Sequence, residues 1–126
     1  MFKSGTIFSN FTPLVKSPVI GYRISGDDVL EILKELTNKN FSKDHSKVRI
    51  FKIYKKDGSL LDECSVVYFK SPKSFTGEDV CEIFLHGSPL IASQFEQTLK
   101  DFKIPGLRLA KNGEFSYRSV LNSKNS

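Results

Sequence analysis

The stretch Ser74-Phe75-Thr76-Gly77-Glu78-Asp79-Val80-Cys81-Glu82-Ile83-Phe84-Leu85-His86-Gly87 crowds three carboxylates, a histidine, a thiol and two glycines into fourteen residues. Its apolar members Val80, Ile83, Phe84 and Leu85 read as a short buried strand. That makes Glu82 the informative residue, because a carboxylate taken out of water without donors or a cation costs several kcal/mol. Either Glu82 meets a basic group of the protein, or it waits for a ligand that brings donors. Arg23 sets the same puzzle with the opposite sign, inside the apolar run 19–25. It pairs with Glu82, or reaches solvent along its apolar stem, or serves a ligand.

Other chemistries find less support. His86 follows Glu82 by four residues and Cys81 by five, while Cys64 and His45 lie far off. Zinc sites use ligands at tight pairwise spacings, and that pattern is missing from the sequence. Cys81 alternates with Glu82 along the strand, so it should face the core on the opposite side. The sequence has neither a GxxxxGK[ST] phosphate loop nor a GxGxxG turn, so this chain by itself is not expected to bind GTP or a dinucleotide.

Composition frames these residues. A chain of 126 residues with 39% hydrophobic residues is one folded domain with a real core, and eleven phenylalanines without tryptophan make that core phenylalanine-rich. The net charge of +5 suits an anionic partner such as RNA, a phosphate or a polycarboxylate tail. The lysines are dispersed, however, and read as a solvated surface. Two cysteines outside any CxxC pair fit a reduced cytoplasmic protein. No apolar run approaches the roughly 18 residues of a membrane span, so no membrane role is expected.

The elements that must position Arg23 and Glu82 follow from local pattern. A β-prone run over 6–10 precedes a strand over 19–25. Ser25-Gly26-Asp27-Asp28 offers N-cap chemistry to a helix whose apolar stripe is Val29, Leu30, Ile32, Leu33 and Leu36, ending near Asn38. Runs at 48–54 and 60–69 flank Asp57-Gly58, a hairpin signal, and Ser71-Pro72-Lys73 breaks the second run. After the strand at 80–85, Ser88 can cap a helix that has Pro89 at its first position. The apolar face of that helix is Leu90, Ile91, Phe95, Leu99 and Phe102. A short strand over 107–110 and a short helix over 115–121 complete the order. The fold class is therefore α+β, with a mixed or largely antiparallel sheet and two main helices.

Three segments then carry a resemblance that spans nearly the whole chain. They are GYRISG (21–26), SPKSFTGEDVCEIFLHG (71–87) and PGLRLAKNGEFSYRSVLNSK (105–124). In this order they resemble the N-terminal domain of the tRNA modification GTPase family MnmE, also called TrmE. Its patterns are xRxSG, P-x-S-[FY]-T-G-E-D-x-x-E-x-x-x-H-G-G and P-G-E-F-[ST]-x-R-A-F-L-N-x-K. The resemblance implies a tetrahydrofolate-binding fold similar to the folate domain of glycine-cleavage T-protein, and a homodimer formed through this domain. It further implies a parent enzyme that works with the flavoprotein MnmG (GidA) on the wobble uridine of tRNA. There the pair would install an aminomethyl-type (carboxymethylaminomethyl) group at carbon 5, from the one-carbon unit of a formyl- or methylene-tetrahydrofolate. Carried over by motif, the folate contacts are Arg23, Glu82 and Lys124. A pterin's guanidine-like edge offers paired donors to a carboxylate such as Glu82. The anionic glutamate tail suits Arg23 and Lys124.

The sequence also departs from the pattern. The family's glycine-rich loop is here Thr12-Pro13-Leu14-Val15-Lys16-Ser17-Pro18, HGG has become His86-Gly87-Ser88, and RAF has become Arg118-Ser119-Val120. Residues 1–126 correspond to the family's folate-binding and dimerisation domain alone. The chain is expected to be a piece of a longer protein, without activity of its own. GTP, potassium and magnesium would belong to the family's GTPase domain, which this sequence lacks. Two other readings remain at this stage: an interaction and dimerisation module without a working folate site, and a small RNA-binding domain suggested by the basic charge.

Overall fold

A computed structural model describes residues 5–12 and 18–123. Among these described residues, six strands form one mixed sheet: β1 (Ile7–Phe11), β2 (Val19–Ser25), β3 (Arg49–Tyr54), β4 (Leu60–Phe69), β5 (Val80–His86) and β6 (Arg108–Leu109). Three helices accompany it: α1 (Val29–Thr37), α2 (Pro89–Asp101) and α3 (Glu114–Ser123). The spatial order is β3-β4-β5-β2-β1-β6, antiparallel throughout except for the parallel β1–β6 contact. The architecture is α+β with a mixed sheet, as the pattern of runs predicts.

The inner strands β2 and β5 explain where the charges lie. Their register sets Arg23 opposite Glu82, Tyr22 opposite Ile83 and Ile24 opposite Cys81. Alternation then divides each strand cleanly. Tyr22, Ile24, Cys81, Ile83 and Leu85 face one side, packed with Ile32, Leu33 and Leu36 of α1 and Phe95 and Leu99 of α2 in the main core. Each fully buried aliphatic side chain there contributes roughly 2 kcal/mol from lost apolar hydration. Arg23, Ser25 and Glu82 face the other side, which α3 covers.

The two core helices are fastened by unequal means. Ser88 caps α2 with Pro89 in the first turn, its hydroxyl accepting from the Ile91 N–H at 3.5 Å. Of the expected α2 stripe, Leu90 is exposed instead of buried. The Tyr22 hydroxyl donates to Glu96, tying α2 to β2. At α1 the expected side-chain cap does not form. Asp28 accepts from the Thr6 hydroxyl at 2.7 Å, and Thr6 Oγ1 accepts from the Asp28 N–H at 3.0 Å. Thr6 thus joins the start of α1 to the sheet.

Candidate functional site

On the α3 side of the sheet, Arg23 and Glu82 meet. Arg23 Nε donates to Glu82 Oε2 at 3.0 Å, and Nη2 lies 3.0 Å from the same oxygen. Their side chains are 23% and 18% exposed, so Glu82 is neither in bulk water nor sealed. Both contacts use Oε2, and Oε1 has no hydrogen-bond partner among the described residues. The pairing resolves part of the sequence puzzle, since each charge neutralises the other. It leaves one carboxylate oxygen ready to accept.

Three aromatic rings surround the Arg23 guanidinium. Its central carbon lies 4.8 Å from the centroid of Phe11, 5.0 Å from Phe75 and 5.7 Å from Phe115. The attraction of a cation to ring faces holds within about 6 Å. Phe11 also packs edge-on against Phe84, with centroids 5.9 Å apart. Gly21 makes this arrangement sterically feasible: a Cβ there would come within 2.8 Å of the Phe11 ring. Any larger residue at Gly21 would push Phe11 away from Arg23.

Phe75 and Phe115 are supplied by a loop and a helix that a second polar network clamps together. Ser25 Oγ lies 2.7 Å from Thr76 Oγ1 and donates to Glu78 Oε1 at 2.7 Å. Arg118 Nη1 donates to both Glu78 oxygens at 3.0 and 3.3 Å, and its Nη2 donates to Glu114 Oε2 at 3.2 Å. Arg108 grips Glu114 with two bonds of 2.8 and 2.6 Å, and the Lys111 N–H adds a third at 3.0 Å. Glu114 is fully buried. The bonds from Arg108 pull its carboxyl down to about 2, against the opposing effect of burial. At the far end of α3, the Asn122 amide donates to Thr76 O at 2.6 Å. Gly77 at φ +82° allows that approach, because a Cβ there would stand 2.8 Å from Asn122 Cβ.

Beside Phe75 a cleft of about 540 Å³ opens, with walls that include Ser74, Gly77, Ser119, Asn122 and Ser123. Its size lies within the range of small-molecule sites. Lys124 follows this wall directly in sequence but lies outside the described residues, as does most of the loop 12–18. His86 ends β5 away from this cluster: its Nδ1 lies 2.9 Å from Asp62 Oδ1, and its N–H donates to Asp62 Oδ2 at 2.9 Å. Cys81 is buried on the opposite face, where burial, and secondarily the Glu82 charge, push its thiol well above the ordinary range. It packs in the core.

The structure thus brings together two of the sequence-predicted residues, Arg23 and Glu82. It adds Phe11, Phe75 and Phe115, together with the clamp of Arg108, Glu114, Arg118 and Glu78. Glu114 and Arg118 sit four apart on one helix face, a spacing visible in the sequence. Their meeting with Glu78 is a long-range contact that local pattern does not announce. Chemically the site combines an accepting carboxylate with ring walls and an adjacent cation. This set fits a flat ligand whose edge carries N–H donors.

The family described as "GTP-binding protein TrmE N-terminus" matches residues 6–124. The chain is 49% identical over 121 residues to the tRNA modification GTPase MnmE of Helicobacter pylori strain HPAG1, covering 94% of this chain and 25% of that protein. It is 43% identical over 119 residues to the protein of the same name from Rickettsia canadensis strain McKiel, covering 94% of this chain and 26% of that protein. The chain therefore spans about a quarter of the length of these relatives.

Proposed function

The chain belongs to the TrmE N-terminal family, the N-terminal domain of tRNA modification GTPases named MnmE, and from that membership we propose that it is the tetrahydrofolate-binding, dimerising module of such an enzyme. The observation that carries the reading is the state of Glu82. An inner strand holds its carboxylate four-fifths covered, with Oε1 unengaged among the described residues and aromatic rings alongside. A reduced pterin would place its N–H edge on that carboxylate. Arg23, and Lys124 beyond the end of α3, would serve the anionic parts of the ligand. When bound, the tetrahydrofolate supplies a one-carbon unit at the formyl or methylene level. This chain's residues hold and orient it.

In the full protein the module acts in the modification of carbon 5 of the wobble uridine of tRNA, together with the flavoprotein MnmG in the cytoplasm. GTP hydrolysis and its magnesium and potassium ions belong to the GTPase domain of the parent protein. Dimerisation is supported by the edge strand β3 and its flanks, where Val48 just before it, Ile50 within it and Leu60 at the start of β4 are exposed. Calorimetry with 5-formyltetrahydrofolate tests the folate reading. Saturable one-to-one binding is expected, and no binding by the wild-type chain would leave an interaction module. Titration with tRNA at two salt concentrations tests for direct RNA binding. A steep salt dependence would mark phosphate contacts by this domain itself and overturn a folate-only role.

A further inference from the structure

The contacts of Arg23 go beyond charge neutralisation. A guanidinium is flat, carries a fork of N–H donors and stacks on aromatic faces. Here it lies against the accepting carboxylate of Glu82 and within 4.8 to 5.7 Å of three phenylalanine rings. The 2-amino-pyrimidinone edge of a pterin has the same flat, donor-bearing character. We infer that Phe75, Phe115 and Phe11 are the walls of the slot for the ligand's flat ring, and that the Arg23 guanidinium occupies this slot in the free chain as a resident stand-in. Ligand entry then displaces Arg23 from Glu82 and from the rings, and the freed guanidinium turns to the ligand's negative charge. The inference rests on the folate reading above, and deepens it by naming what recognises the ring.

The surroundings are built for such an exchange. Phe75 is 50% exposed, so it can be rearranged at little cost. The loop that carries it is nevertheless pinned on both sides: Thr76 is held by Ser25 and Asn122, and the Ser74 hydroxyl donates to Glu78 O. Phe115 follows Glu114, whose four accepted hydrogen bonds fix the start of α3. The backbones that carry Phe75 and Phe115 are therefore braced, while the Phe75 ring itself stands exposed at the mouth. The cleft with Ser119 and Asn122 on its wall lies beside Phe75, where the remainder of a folate could extend.

The test titrates 5-formyltetrahydrofolate into the wild type, Phe75→Ala and Phe75→Tyr, with melting temperature as a control. Loss of one stacking ring should weaken binding about tenfold to a hundredfold in Phe75→Ala, and Phe75→Tyr should restore it to within about threefold. The melting temperatures should agree, since Phe75 is half exposed. In parallel, the Arg23 Nε–H resonance is followed while 6-methyltetrahydropterin, the ring without its tail, is added. Departure of that resonance from its ring-shifted position supports displacement. If wild type and Phe75→Ala bind 5-formyltetrahydrofolate equally, or the ring binds with the resonance unmoved, the slot is overturned and folate binding stands. If the wild type binds neither compound, the folate reading falls and the slot falls with it.

Discussion

Glu82 has one oxygen committed to Arg23 and the other without a partner among the described residues, and this asymmetry separates two mutations. Glu82→Ala removes the acceptor proposed for the pterin edge. Losing charge-assisted hydrogen bonds of that kind costs about 2–4 kcal/mol, or roughly 30- to 1,000-fold in affinity. The fold should persist, because Arg23 keeps its three ring contacts and a path to water. Calorimetric affinity near that of the wild type in Glu82→Ala would refute the site. Arg23→Ala leaves Glu82 largely covered without its cation and removes three cation–ring contacts. Both side chains keep about a fifth of their exposure, so water compensates part of the loss. A destabilisation of about 1–3 kcal/mol is expected in denaturant titration. Unchanged stability with weakened folate binding would instead assign Arg23 wholly to the ligand.

At the scale of elements, the site depends on α3 lying against the sheet, and α3 depends on Glu114. The folded carboxyl titrates near 2, against an ordinary value of 4.5, chiefly because of the Arg108 bonds. A lowered folded pKa means that its stabilisation is fully present above about pH 4.5. It is lost progressively as pH falls toward 2, where the folded carboxylate finally takes up its proton. Between pH 7 and pH 3 the wild type should lose about 2 kcal/mol more stability than Glu114→Gln, which has no carboxylate to titrate. Parallel acid dependence in the two proteins would show that Glu114 does not carry this linkage. Most elements were legible in sequence: β2, β5, the Asp57-Gly58 hairpin and the Ser88-Pro89 start of α2 each follow from alternation or turn chemistry. The α3 clamp was not. Glu78 and Arg118 lie 40 residues apart, and the rings around Arg23 come from β1, the loop 74–79 and α3. Such meetings are decided by how the chain crosses the sheet, which local periodicity does not encode. The motif resemblance pointed to Arg23 and Glu82, while Phe75 and Phe115 stood inside quoted motifs without an assigned role. The α1 cap failed for a related reason, since Thr6, 22 residues upstream, takes the Asp28 carboxylate.

For the whole molecule the open question is what covers the β3 edge. The opposite edge ends in β6, a strand of only two residues, whereas β3 has six and, among the described residues, an unpaired outer side. Register carries Ile50 through Ser65 to Phe84, so Ile50 shares the sheet face that also bears Glu82. Ile50 is 69% exposed there, with Val48 and Leu60 exposed as well. A long edge with apolar side chains calls for protection by a partner. Lys52, Lys55 and Lys56 lie along the same hairpin and guard against indiscriminate pairing. A second copy of the chain is the partner that the family resemblance implies, and a two-fold contact would bury the same patch on both subunits. Light scattering at micromolar concentration should then report a mass above the 14.3 kDa of one chain. Ile50→Asp places a charge in the centre of that patch and should return the monomer. Because Ile50 is exposed within one subunit, the unfolding free energy of the monomer should change by no more than about 0.5 kcal/mol in denaturant titration. A wild type that runs only as 14.3 kDa would refute the dimer, and an Ile50→Asp variant that still dimerises would move the interface away from this edge. The shared face also links association to the ligand: a dimer formed here would stand beside the sheet surface that holds Glu82. Dilution below the dimer's dissociation constant should therefore weaken 5-formyltetrahydrofolate binding in the wild type, and leave its affinity for Ile50→Asp independent of protein concentration.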